Sequence, residues 1–95
     1  MLYLNVLLTA KDPADVPQIR ELLTEAMRKS RLEPGCQRFD VYHSSVEPRR
    51  FTLVEHWENQ AALDQHRLGA AYNEIYKPLV MPLVDREAHP ATLLE

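Results

Sequence analysis

The chain has 95 residues, 45% of them apolar and 26% charged, which is the make-up of one globular domain and excludes a disordered tail, a collagen-like repeat or a coiled coil. Eleven Lys and Arg stand against fourteen Asp and Glu, a formal net charge of −3. A nucleic-acid binder is expected to carry a basic face, and the densest basic run, Arg28-Lys29-Ser30-Arg31, falls at a helix end, where the helix dipole accounts for it. The longest apolar run, Leu79 to Val84, is broken by Pro82 and falls far short of the ~20 residues of a bilayer span. No basic leader precedes an apolar stretch at the N-terminus, so neither membrane nor export is expected. A lone cysteine, Cys36, excludes an intramolecular disulfide and a cysteine-rich zinc site. It fits the reducing cytoplasm.

Met1 to Thr9 has a strand pattern: Leu2, Leu4, Val6 and Leu8 share one face, and Tyr3, Asn5, Leu7 and Thr9 the other. A turn with acidic residues and prolines follows, in which Asp15 is the expected N-cap. Val16, Ile19, Leu22, Leu23, Ala26 and Met27 then repeat at helical spacing and predict a first helix from about Val16 to Arg31. Glu33-Pro34-Gly35 stops it. Cys36 to Ser44 forms a second predicted strand and Phe51 to Trp57 a third, separated by a turn containing Glu47-Pro48. Asn59 caps a second helix that starts near Gln60 and runs past Tyr76, with Gly69 kinking or dividing it and Pro78 and Pro82 ending it. Arg86 to Leu94 is a weaker strand, and Pro90 restricts it to an edge or bulge.

The order strand, helix, strand, strand, helix, strand predicts an α+β, ferredoxin-like βαββαβ domain over residues 1–95, a four-stranded antiparallel sheet with both helices on one face. The first and third strands are apolar on both faces. No segment remains to cover the helix-free face, so a second copy of the chain is expected to pack there as a homodimer.

Phosphate-loop, nucleophile-elbow, HExxH and CxxC motifs are all missing, and His43, His56, His66 and His89 lie at no metal-ligand spacing. His66 follows Leu63 by three residues on one helix face, as either a hydrogen-bonded core histidine or an acid–base group. Asn5 interrupts an apolar strand, so its amide either bonds a neighbouring side chain or faces a wet pocket. Trp57 closes the third strand as core or as cavity wall. Tyr72 and Tyr76 share a helix face and suit either helix–sheet packing or an aromatic-binding cavity.

Three segments, Glu33-Pro34-Gly35-Cys36-Gln37-Arg38-Phe39-Asp40-Val41, Phe51-Thr52-Leu53-Val54-Glu55-His56-Trp57-Glu58 and Ala62-Leu63-Asp64-Gln65-His66, occur in this order and resemble the antibiotic biosynthesis monooxygenase domain family. Its pattern has Pro-Gly before strand two, Glu-x-Trp closing strand three, and Leu-x-x-His on helix two. The resemblance implies a dimeric α+β barrel. It also implies oxidation of a hydroquinone or polyphenol by molecular oxygen without metal, flavin or other cofactor. On that reading Trp57 packs the small aromatic substrate, His66 does acid–base or orienting work, and Asn5 bonds a substrate oxygen. Tyr72 and Tyr76 line the substrate cavity. Related haem-degrading enzymes match at Asn5 and Trp57, but their iron-ligating histidine would fall near Tyr76, where this chain has none. The alternatives are a barrel that isomerises a small carbonyl metabolite without oxygen and a non-catalytic ligand-binding module.

Overall fold

The computed structural model, which describes residues 1–95, has four strands, with burial alternating along the two central ones. The four are β1 (Leu2–Ala10), β2 (Cys36–His43), β3 (Arg50–Trp57) and β4 (Val84–Ala91). The sheet order is β2-β3-β1-β4, every neighbour antiparallel. Helices α1 (Val16–Ser30) and α2 (Gln60–Leu68) follow β1 and β3, giving the ferredoxin-like α+β order. The inward row of β1 (Leu4, Val6, Leu8) and that of β3 (Phe51, Leu53, Trp57) form the core with Ile19 and Leu23 of α1 and with Leu63 of α2. No helix is long and apolar enough to cross a membrane.

Helix starts and stops follow local chemistry. Asn59 caps α2, its side chain accepting from the Ala62 amide at 2.9 Å. Asp15, the expected cap of α1, makes no such bond. The capping carboxylate is Asp12, which accepts from the Ala14 amide at 2.9 Å and starts a 3-10 turn over Pro13–Asp15. That turn delivers the chain into α1 already helical, so a second cap is unnecessary. Gly35, after α1, has φ +82, and a Cβ there would stand 2.5 Å from the Ala62 Cβ. Only glycine combines that backbone with so close an approach of α2 to the loop.

The second helix is divided rather than continuous. Gly69 is extended at ψ 171 and ends α2, and a π-helical segment, Ala71–Val80, follows. Pro78 lies inside this segment instead of ending it. Proline lacks the amide that would continue an α-ladder, and the chain widens into i→i+5 bonding, as in the Met81 amide to Tyr76 carbonyl bond. The buried residues of the segment, Ala71, Ile75, Tyr76 and Val80, recur at the longer spacing of that spiral.

Strand β4 begins at Val84 and ends at Ala91, so it starts earlier and stops sooner than Arg86 to Leu94. Its Pro90 pairs opposite Leu4 on the outermost strand, where the missing amide can face away from the ladder. On the helix-free side the sheet presents Tyr3, Asn5, Leu7 and Thr9 from β1 beside Thr52, Val54 and His56 from β3, and no element of the chain lies over them.

Candidate functional site

Period-2 geometry on β3 sends Phe51, Leu53, Glu55 and Trp57 to the same side, toward the helices. Glu55 is thereby a carboxyl group in an apolar row, 5% exposed. Its Oε1 accepts a hydrogen bond from Trp57 Nε1–H at 3.1 Å. Burial pushes the Glu55 carboxyl above the usual carboxylate range, and the Trp57 N–H and nearby His66, Arg86 and Arg67 only partly offset this.

His66 comes from the inward face of α2 and is 7% exposed. Its ring lies 4.6 Å from that of Trp57, 5.7 Å from Phe39 and 5.8 Å from Tyr72. Nδ1 stands 2.6 Å from Glu33 Oε1. An ionised carboxylate can only accept, so the imidazole carries its proton on Nδ1, and in the neutral ring Nε2 is left as a free acceptor. Gly69 makes this pairing fit: a Cβ there would sit 2.8 Å from Glu33 Oε2.

Glu55 and His66 line a cavity of about 20 Å³ between the sheet, α1, α2 and the π-helical segment. Its apolar wall includes Leu4, Leu23, Phe39 and Leu53, and Tyr72 and Tyr76 complete one side with ring centroids 5.5 Å apart. The Tyr76 hydroxyl accepts from Arg86 Nε at 2.8 Å, and burial raises the Tyr76 phenol above its ordinary pKa. The site therefore combines an apolar, aromatic lining with one carboxyl group, one oriented imidazole, the Ser30 hydroxyl and the Arg67 and Arg86 side chains. The carboxyl group and the imidazole are the groups there that can give or take a proton. No three His, Cys, Asp or Glu side chains gather in metal-ligating geometry. The Cys36 thiol is pushed up to about 11, by burial first and then by Glu33 and Glu55, so it is no nucleophile near neutral pH.

Of the residues singled out from sequence, His66, Tyr72 and Tyr76 line the cavity. Trp57 is fully buried behind it, against His66 and bonded to Glu55. Asn5 is elsewhere. It lies on the helix-free face, exposed, between Val54 of β3 and His89 of β4. Its place in an apolar strand reflects that outward face, so the wet-pocket reading of Asn5 is corrected. His43 stacks on Phe51 at 4.3 Å, His56 meets the Tyr3 ring edge-on at 4.7 Å, and His89 is exposed. Sequence reasoning missed Glu55, Glu33 and Arg86. The signal for Glu55 was a charge in phase with Phe51, Leu53 and Trp57. Glu33 and Arg86 arrive from a loop and an edge strand, where spacing carries no such signal.

The raised Glu55 carboxyl has a consequence for stability. Folded Glu55 keeps its proton to a higher pH than the unfolded chain does. The folded state therefore binds more protons just above the ordinary carboxylate pKa, and stability falls as pH rises through that window. Glu55→Gln keeps an acceptor for Trp57 and removes the titration. Thermal unfolding from pH 4 to 8 should show the variant gaining on the native protein as pH rises, with the two alike at the acid end. Parallel curves would refute the burial argument.

The profile described as antibiotic biosynthesis monooxygenase matches residues 1–77. No curated protein matches the chain. Among solved structures, an antibiotic biosynthesis monooxygenase superposes with a TM-score of 0.88 at 24% identity, over 100% of both chains. A conserved protein of unknown function from Bacteroides thetaiotaomicron gives 0.87 at 23% identity, over 95% of this chain and 94% of that one. Rv0793 from Mycobacterium tuberculosis gives 0.82 at 26% identity, over 100% and 98%. These likenesses carry the fold, and the profile match over most of the length carries the family: the chain belongs to the antibiotic biosynthesis monooxygenase family.

Proposed function

We propose that the protein is a cofactor-independent monooxygenase that oxidises a small hydroquinone or polyphenol with molecular oxygen, acting as a homodimer in the cytoplasm. The observation that carries this reading is His66 at the wall of an apolar, aromatic cavity, with Glu33 fixing its proton on Nδ1. Nε2 takes the phenol proton, and the Glu33 carboxylate stabilises the imidazolium that results. The phenolate is the electron donor to oxygen. For a hydroquinone the balance is one substrate and one O2 giving a hydroxyquinone and one water, all four electrons coming from the substrate. Tyr72 and Tyr76 hold the ring by stacking, and Trp57, buried behind His66, backs that wall. As it stands, the cavity has room for about one water, so a ring enters by displacing Tyr76 and Arg86, whose mutual hydrogen bond closes that side.

A second reading rests on the buried Glu55 carboxyl, which lines the same cavity as His66: a carboxyl group and an imidazole in one cavity can also move a proton between two carbons of a carbonyl compound without oxygen. Oxygen consumption against a panel of hydroquinones and polycyclic phenols, corrected for autoxidation, separates the two. The oxygenase consumes oxygen, and His66→Ala lowers the rate by roughly 10²–10⁴-fold, the usual contribution of a positioned general base. A flat oxygen trace with anaerobic turnover of a carbonyl substrate would select the isomerase.

The uncovered sheet face supports the homodimer. Tyr3, Leu7 and Val54 lie there only half-buried, an apolar strip that a second copy would cover. Light scattering at micromolar concentration should give twice the mass of the chain, and Leu7→Lys should return it to a monomer. A native protein that scatters as a single chain would contradict the assembly.

A further inference from the structure

Ser30 closes α1 and is 0% exposed. Its Oγ is the one buried side-chain polar atom in the protein with no hydrogen-bond partner. A helical serine commonly bonds the carbonyl four residues earlier, here that of Ala26, and this one does not. Alanine would fill the same space without leaving a hydroxyl unsatisfied. The packing of the fold therefore gives no reason for an oxygen at this position.

The surroundings supply one. Ser30 lines the same cavity as Glu55 and His66. Its carbonyl accepts the Glu33 amide at 3.1 Å, and Glu33 is the residue that holds His66. Ser30 and His66 thus line one cavity, and Glu33, which orients His66 from outside it, is tied through the backbone to the same helix end. A hydroxyl can donate and accept, so beside the Arg67 and Arg86 side chains of the same lining it is a neutral, short-reach group that can bond a ligand oxygen in either protonation state.

We propose that Ser30 is a specificity-determining residue whose hydroxyl bonds an oxygen of an aromatic ligand in this cavity, so that hydroxylated rings bind in preference to unsubstituted ones. The assignment rests on reading the cavity as a phenol site and adds the residue that reads the oxygen.

Calorimetric titration in anaerobic buffer tests it, with 1-naphthol and naphthalene as probes against the native protein, Ser30→Ala and Ser30→Cys. Loss of one hydrogen bond should weaken 1-naphthol binding by roughly three- to tenfold in both variants and leave naphthalene binding unchanged. Thermal unfolding checks the variants, the alanine protein being expected to melt no lower than the native one; the near-isosteric cysteine variant carries the test if alanine does not fold. Unchanged 1-naphthol affinity in the folded variants would overturn the role of Ser30 and leave the phenol site standing, the hydroxyl then serving a buried water. Absence of 1-naphthol binding to all three proteins would overturn the phenol reading and this assignment with it. Because oxygen is excluded, failure of the oxygenase chemistry does not enter the readout.

Discussion

A carboxyl group buried in an apolar core organises the interior of this protein. Glu55 occupies an inward position on β3 that, by its neighbours Leu53 and Trp57, belongs to hydrophobic packing. Burying a carboxylate without partners is strongly unfavourable, and the structure answers it in steps. The Trp57 indole N–H reaches the carboxyl group, the His66 ring lies against Trp57, and Glu33 ties the far side of that ring to the loop after α1. Glycines sit where the assembly needs close approach: Gly69 leaves room for Glu33, and Gly35 lets α2 press onto the loop. A chain of polar contacts in an otherwise apolar layer fixes one arrangement of the rings that line the cavity.

The sheet then acts as a partition. Its inward face holds the core and the cavity beneath the helices, while its outward face, with Tyr3, Leu7 and Val54, is covered by no element of the chain. Strand alternation separates the two faces without saying which one meets the helices, and a residue one position out of phase changes role entirely. Asn5 illustrates this. It neighbours Leu4, a cavity-lining residue, yet belongs to the opposite surface.

Much of the fold was legible from the sequence, because period-2 and helical periodicities are long-range averages over many residues. β1, β3, α1 and the cap at Asn59 follow from them directly, and Pro90 marked the edge strand. The π-helical passage through Pro78 was not legible, since a proline in isolation signals a stop, whereas here the segment lies packed against α1 and buries Ile75, Tyr76 and Val80. For the site, His66, Tyr72 and Tyr76 were reachable through their shared faces. Glu33, Ser30 and Arg86 were not. They converge from α1, its following loop and β4, segments whose meeting depends on tertiary structure rather than spacing.

The central claim is that ligands bind under the helices, between Glu55 and His66, and not on the bare sheet. Chemical-shift mapping by NMR during titration with 1-naphthol tests it most directly. The account predicts saturable shifts at the Trp57 indole N–H, the His66 ring and the Tyr72 amide, with Asn5, Val54 and His89 unmoved. Shifts confined to Asn5, Val54 and His89 would place the ligand on the opposite face and contradict it.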